Sequence, residues 1–555
     1  MNLRIFGPPG TGKTYMLRSI VYHLIGDSSA TQLLNQYDLS LPYGSYTLPD
    51  IAYMSYTNSA VDELLDRLGV KRNYKRGLWS TMHGILQHLL IKNEILPREI
   101  VTNTFLKPTG LNWWKKKFAY QQGIPYDPDE EVTILEGNLF FNAYTRAINA
   151  YYPVYQDIER VLDKLQDEDG FGDLAEDWIK FKDKNHIIDF DDVLIKGFDA
   201  EINLPTKVLV ADEFQDFSPL QWAIFQKWME EKDYVIVAGD DDQTLFGFQS
   251  ASPRFILYDF PADRTVVLKQ SFRLPKRVLA VSNIFIKAFV KHRYPKKFAP
   301  RDAQGIVLFK KIPLIKLPEL ALSIANKGST VLILTRTNAL VHMLEEIFLA
   351  KKVPYYRFKT RKLSVWQDFA DRILNFVNDL RAGKPVYLSD AKFYLRFTNA
   401  PDTKIMQLAK ALSSDTQRSL LATAIAKNPL KLINPDKVVE YFGSERLAHI
   451  AIQTLHLYAT SNIPVPSGKI YIDTIHAAKG REGDVVFLWD SITERINGEI
   501  AIGGEQKFEE EVRVWYVGMT RARGSLIVLQ GETPFVQPKI TKITRALKAK
   551  LGGRK

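Results

Sequence analysis

The sequence predicts an α/β protein of parallel strands flanked by helices, and three stretches carry that expectation. LRIF at residues 3–6 is a short apolar strand that runs into GPPGTGKT at 7–14 and then into the helix-like YMLRSIVYHLI. VLVADEFQD at 208–216 and VIVAGDDDQ at 235–243 are further apolar runs, and each stops abruptly at carboxylates. Continuous apolar runs fit strands covered on both faces. Acids crowded at a strand's carboxyl end face a cation or a polar cleft, because burying an unpaired charge is costly.

The glycine-rich stretch matches G-x-x-x-x-G-K-[ST] between a strand and a helix, the context in which that pattern binds phosphates. Gly7, Gly10, Thr11 and Gly12 bring backbone N–H groups around a polyphosphate, Lys13 reaches its β/γ end, and Thr14 takes Mg²⁺. Asp212 is then the acid that holds the metal, and Glu213 polarises the water that attacks the γ-phosphate. ATP and Mg²⁺ are the expected nucleotide and ion. Roughly 200 residues separate the two halves of this site, more than a P-loop domain needs, so a segment is inserted between them.

At 555 residues the chain is too long for one core, and 46% hydrophobic content is enough to fill several. The absence of cysteine excludes disulfides, thiolate zinc sites and cysteine nucleophiles. No run of eighteen apolar residues and no signal-peptide pattern is present, so the expected location is intracellular, in the cytoplasm. The formal charge of +11 favours a polyanionic partner. Residues 531–555 carry +6 of it, either as an electrostatic arm or as a solvated end.

Further motifs follow in order. They are SYTNSAVDELLDRL at 55–68, STMHGIL at 80–86, IIDFDDVL at 187–194, VIVAGDDDQTLFGFQSA at 235–251, VLKQSFRLP at 267–275, VLILTRTNAL at 331–340, IDTIHAAKGREGDVVFL at 472–488 and EEEVRVWYVGMTRAR at 509–523. With DEFQD and the P-loop, this series resembles the UvrD/Rep/PcrA group of superfamily 1 DNA helicases across nearly the whole chain. The resemblance implies two RecA-like P-loop motor domains, each with an inserted, mainly helical subdomain. It also implies an ATP-dependent helicase that moves 3′→5′ on single-stranded DNA and unwinds single/double-strand junctions in repair or replication.

Residue roles follow by position in these motifs. Arg273 and Arg521 match the arginines that reach the γ-phosphate from the second motor, and Gln243 the group that senses it. Phe272 matches the aromatic that stacks on adenine, and Glu482 the acceptor from the ribose. Thr57, Asn58, His83, Thr474 and His476 match groups that hold successive DNA phosphates, and Phe248 offers a base-stacking platform. Gln215 and Asp216, beyond the catalytic acids, are expected to link hydrolysis to the neighbouring motif. Three departures stand out. Only six residues precede Gly7, where the family carries an adenine-reading glutamine segment, so either the start is truncated or base selectivity is relaxed; Gln249 replaces an arginine, and REGD at 481–484 replaces a Leu-Glu-Phe type sequence.

The spacing places the first motor at 1–88 and 178–265, with a helical insert at 89–177. The second motor falls at 266–365 and 466–535, with a small insert at 366–465, and a basic tail at 536–555 closes the chain. In the first insert, WWKKKFAY at 113–120 reads as a helix with an apolar face and a solvated basic one rather than a duplex contact, and FFNAYTRAINAYYPVY at 140–155 reads as core. Two rivals remain: a DNA-stimulated ATPase translocase that remodels protein–DNA complexes without unwinding, and a non-catalytic recruitment module with a vestigial P-loop. RNA as the strand is also open, because phosphate and stacking contacts discriminate poorly.

Overall fold

The computed structural model describes residues 1–55, 61, 65, 77–96, 108–126, 135–247, 250–358, 365–381, 393–399, 433–442, 445–460 and 468–530. Thr57, Asn58, Phe248, Gln249 and the basic tail therefore lie outside the described residues. The described residues form two compact units, one within 1–306 and 493–520, the other within 307–492 and 521–530.

The first unit is built on a six-stranded sheet. Its strands are β1 (Asn2–Phe6), β2 (Ile51–Met54), β3 (Trp79–Ser80), β4 (Val208–Ala211), β5 (Tyr234–Gly239) and β6 (Arg264–Val267), in the order β3-β2-β4-β5-β1-β6. Every pairing among them is parallel. Alternate side chains cover opposite faces: Leu3, Ile5, Val208, Val210, Ile236 and Ala238 join one apolar cluster, and Leu209, Ala211, Val235 and Val237 join the other. Both faces are thus buried, which explains why these strands read as unbroken apolar runs.

The inserted segment is helical. Helix Glu136–Tyr155 buries Phe140, Phe141, Tyr144, Ala147 and Ile148, as expected for core, and lies beside helices Ile158–Asp169 and Gly172–Lys184. Helix Pro108–Gln122 carries WWKKKFAY: Phe118 and Ala119 are buried as expected of an apolar face, but Trp113 and Tyr120 are exposed and Lys115 Nζ lies 4.6 Å from the Phe141 ring centre, so the outer face is partly aromatic rather than the solvated basic face expected. A buried ammonium fixes the last turn of helix Gly172–Lys184, where Lys182 Nζ donates to Asp189 at 3.0 Å and to Asp192 at 2.6 Å.

The second unit holds a five-stranded sheet of β7 (Ile306–Lys310), β8 (Val331–Thr335), β9 (Ile470–Thr474), β10 (Gly483–Asp490) and β11 (Ala522–Gln530), ordered β7-β11-β10-β8-β9. The pairs among β8, β9, β10 and β11 are parallel. Helices Leu317–Ala325, Asn338–Ala350, Val365–Arg381 and Glu445–Thr460 pack their apolar faces in the same cluster as Val331, Ile333, Ile470, Ile472 and Phe487.

Two boundaries differ from expectation. The junction placed between 265 and 266 falls inside β6, which pairs with β1 through Thr265↔Arg4 and Val266↔Ile5. Residues to 306 and the stretch 493–520, assigned to the second motor, cluster with the first unit. Lys291 N–H donates to Glu509 Oε1 at 2.8 Å and Arg513 Nε to the Asp241 carbonyl at 3.1 Å, so the helical span Glu494–Met519, kinked at Gly504, is tied to that unit beyond its kink through polar contacts whose partners lie far apart in sequence.

Candidate nucleotide site and strand-facing residues

Strands β4, β5 and β1 are adjacent, so their carboxyl ends deliver the two acid clusters and the P-loop to one rim, where ligands bind in parallel α/β sheets. Gly7 N–H donates to the Gly239 carbonyl at 2.9 Å, which pins the start of the loop beside the end of β5. Gly7 is required here: a Cβ at this position would stand 1.8 Å from Lys13 Cγ, so only glycine lets the lysine fold back across the loop. Lys13 Nζ lies 3.3 Å from the Gly7 carbonyl and 3.5 Å from Glu213 Oε1. Thr11 Oγ1 donates to the Pro8 carbonyl at 2.7 Å and closes the turn, and Gly12 adopts a left-handed conformation immediately before helix Lys13–Leu24.

Thr14 Oγ1 donates to Asp212 Oδ2 at 2.9 Å. A hydroxyl and a carboxylate side by side, both hard oxygen donors next to the P-loop, fit a Mg²⁺ ion. Tyr53 Oη reaches the same carboxylate oxygen from β2 at 3.4 Å. Burial, then the neighbouring Glu213, pushes the Asp212 carboxyl up to about 6, with Lys13 and Thr14 opposing. A cation at this site favours the ionised form, since it supplies the charge that burial removes. Glu213 adopts φ 57°, a left-handed backbone unusual for a non-glycine residue, which turns the chain out of β4.

Gln215 and Gln243 meet through Asp240. Gln215 Oε1 accepts from the Asp240 N–H at 2.9 Å, and Gln215 Nε2 donates to Glu213 Oε2 at 2.7 Å and to Asp216 Oδ2 at 3.0 Å. Gln243 Nε2 donates to Asp240 Oδ2 at 2.7 Å. The line Lys13, Glu213, Gln215, Asp240, Gln243 is therefore continuous, and its partners lie on three neighbouring strand ends.

The loop after β6 closes on the P-loop from the same unit. Phe272 N–H donates to the Gly10 carbonyl at 2.8 Å, and Ser271 Oγ donates to the Pro9 carbonyl at 2.8 Å. Phe272 is 71% exposed and offers an apolar side chain beside the loop. Arg273 Nη1 donates to the Thr520 carbonyl at 3.4 Å. Arg273, expected on the second motor, thus belongs to the first unit, because its loop is bonded to the P-loop backbone and packs beside residues to Thr520.

In the second unit, Glu482 and Arg521 stand at the amino ends of the paired strands β10 and β11. Gly483 N–H donates to the Arg521 carbonyl at 3.1 Å, and Glu482 lies 3.5 Å from Arg523 Nη1. Thr474 ends β9 at the opposite rim, its Oγ1 accepting from the Ala477 N–H at 3.2 Å, and His476 follows in the same turn. The sheet thus separates the two nucleotide candidates from the two strand-facing ones. Arg357 donates to Asp473 at 3.1 Å and to Glu345 at 3.3 Å, which braces the end of β9.

In the first unit, His83 lies in helix Met82–Lys92, edge-on to Phe190 at 5.3 Å, and lines a cavity of about 360 Å³ with Ser55, Thr81, Thr145, Asn149, Asp191 and Ser218. Burial holds its imidazole down at about 4, so it is neutral at pH 7.

Lys296, Arg293, Arg513, Ser271 and Tyr53 escaped the sequence reading. For the first two a signal existed: three consecutive acids in GDDDQ require buried cations, and the basic stretch HRYPKK at 292–297 supplies them.

Comparison with known proteins agrees with this architecture. A family model described as the UvrD/REP helicase N-terminal domain matches residues 1–261, and one described as the UvrD-like helicase C-terminal domain matches 432–532. The chain is 23% identical to the putative ATP-dependent DNA helicase YjcD of Bacillus subtilis, covering 94% of this chain and 76% of that protein. It is 22% identical to DNA helicase II of Escherichia coli, covering 96% and 82%. It is 27% identical to the ATP-dependent DNA helicase UvrD2 of Mycobacterium tuberculosis, covering 61% and 50%. With both family models matched in order over more than half its length and the P-loop and acid strands assembled on one rim, the chain belongs to the UvrD/Rep family of superfamily 1 helicases.

Proposed function

We propose that this ATP-dependent DNA helicase moves 3′→5′ along single-stranded DNA, opens duplex at single/double-strand junctions, and uses Mg²⁺ with its nucleotide. The observation that carries the nucleotide chemistry is the Thr14–Asp212 contact of 2.9 Å beside Lys13 and Glu213, at the carboxyl rim of a parallel sheet. When bound, Mg²⁺ would supply positive charge that offsets the charge of the phosphates; Thr14 and Asp212 are the residues that would hold it.

Lys13 leaves the Gly7 carbonyl for the β/γ-phosphates, and Glu213 orients and polarises the attacking water. Gln243 senses the γ-phosphate, and Arg273 and Arg521 supply guanidinium charge to the transferring group. Phe272 stacks on adenine and Glu482 accepts from the ribose. On the DNA side, Thr57, Asn58, His83, Thr474 and His476 hold successive phosphates, and Phe248 stacks a base. A neutral His83 makes such a contact without counterion release, so it positions the strand and adds little salt dependence.

The test is ATP-dependent strand displacement on matched duplexes with a 3′ or a 5′ single-stranded tail, with Lys13→Ala as control. Displacement from the 3′ tail alone, lost in the control, is expected. Stimulated hydrolysis without displacement from either tail would replace unwinding by remodelling of protein–DNA complexes, and displacement from the 5′ tail would reverse the polarity.

A further inference from the structure

Behind the γ-phosphate sensor lies a buried ionic cluster that the hydrolytic roles do not use. Lys296, 8% exposed, places its ammonium 2.6 Å from Asp240 Oδ1, 2.5 Å from Asp241 Oδ1 and 2.9 Å from Asp242 Oδ2. Asp240, Asp241 and Asp242 are themselves fully buried. Arg293 grips Asp242 with Nε at 2.9 Å and with Nη2. The Tyr294 N–H donates to Asp241 Oδ2 at 2.9 Å, and the Tyr294 ring stacks on Phe6 at the end of β1 with centroids 4.1 Å apart. Arg513 Nε donates to the Asp241 carbonyl, and its Nη2 donates to the His292 carbonyl at 3.1 Å.

Three carboxylates in one short turn repel each other strongly in a low-dielectric interior, so the turn holds its shape only while the cations stay. Burial on its own would depress the Lys296 ammonium, but the three acids hold it above the ordinary lysine range. Burial pushes the Asp241 carboxyl up to about 6 against the pull of Lys296, so the lysine is what favours the ionised form of this acid.

Asp240 spends its two oxygens differently: Oδ1 takes the Lys296 ammonium, and Oδ2 takes the Gln243 amide. We propose that Lys296 is a positioning residue for ATP turnover, which anchors Asp240 so that Asp240 holds the Gln243 side chain and the Gln215 link in register with the nucleotide. This rests on the assignment of Gln243 as γ-phosphate sensor. Lys296 touches neither nucleotide nor DNA in this scheme. Its loss should spare nucleotide binding and strike the rate at which bound nucleotide turns over.

The test compares wild type, Lys296→Met, Lys296→Arg and the double variant Lys296→Met/Asp241→Asn. The double variant keeps the net charge of the cluster while still stripping Asp240 of its ammonium, so it remains informative should the single variant not fold. Each is assayed for binding of a fluorescent ATP analogue, for KM and kcat of ATP hydrolysis with and without poly(dT), and for thermal unfolding. Expected for Lys296→Met and the double variant is a loss of about tenfold or more in poly(dT)-stimulated kcat, with analogue affinity and KM within about threefold of wild type and partial recovery in Lys296→Arg. A folded double variant with wild-type stimulated kcat would overturn the inference alone, as would equal losses in affinity and kcat. Wild-type protein whose hydrolysis ignores poly(dT) would overturn the helicase reading and this inference with it.

Discussion

Gln215 Oε1 accepts the Asp240 N–H at 2.9 Å, which joins the loop after β4 to the loop after β5 across the rim that carries Asp212 and Glu213. The other side of the same amide donates to Glu213 at 2.7 Å. One side chain thus touches the residue proposed to orient the attacking water and the residue that holds the proposed γ-phosphate sensor. Gln215→Ala removes both of these bonds and the third to Asp216, none of which is made by the P-loop backbone. Poly(dT)-stimulated kcat should fall by roughly tenfold, with nucleotide affinity changed far less, in steady-state hydrolysis and analogue titration. Equal loss of both would count against coupling through this residue.

The P-loop is closed against residues 271–273 with no room for a methyl group. At Gly10, φ is 71° and an added Cβ would lie 2.4 Å from Arg273 Cβ and 2.9 Å from Ser271 Oγ. Gly10→Ala should weaken nucleotide binding by at least about tenfold and cost on the order of 1–3 kcal/mol of stability, read by titration and by urea unfolding. Wild-type affinity in this variant would show that the Phe272–Gly10 closure is not needed for binding.

The inserted helices depend on one buried cation. Lys182 is 2% exposed and serves Asp189 and Asp192 together, with its ammonium also 3.4 Å from Tyr144 Oη. Lys182→Met leaves buried carboxylates uncompensated and should destabilise the protein by about 3–5 kcal/mol, whereas Lys182→Met/Asp189→Asn should recover part of the loss. Chemical denaturation of the three proteins checks this.

His83 sets a pH dependence whose sign follows from its low pKa. Folded His83 titrates near 4 and the unfolded residue near 6.5, so between those values the unfolded chain binds the extra proton and stability falls as pH falls. His83→Gln should remove about 1 kcal/mol of the difference in stability between pH 7.5 and pH 5.5. An unchanged difference would mean that His83 is protonated in the folded protein at pH 5.5.

Much of the site was legible because its residues are local in sequence. GPPGTGKT folds as strand, loop and helix within a few residues of itself, and the acids of DEFQD and GDDDQ sit where apolar strands end. The partners were not legible, because β4, β5 and β1 become neighbours only through a sheet order that skips across the chain. Lys296 shows the same limit: nothing in HRYPKK says which lysine is buried, and it is long-range contacts such as Tyr294 stacking on Phe6 and Arg293 pairing with Asp242 that bring that loop to the acid turn. The expected junction at 265/266 failed for a related reason. RTVV is a short edge strand with a charged start, and its pairing with β1 lies more than 250 residues away in sequence.

The most direct test of the central proposal is ATP-driven movement on single strands without any duplex. Oligo(dT) of increasing length, labelled with a fluorophore at the 5′ or the 3′ end, is mixed with protein and then with Mg²⁺ and ATP in stopped flow. A 5′-end signal with a lag that lengthens with the oligonucleotide, absent in Lys13→Ala, is the expected result. A length-dependent lag at the 3′ end would contradict the polarity, and no lag at either end despite rapid hydrolysis would contradict translocation itself.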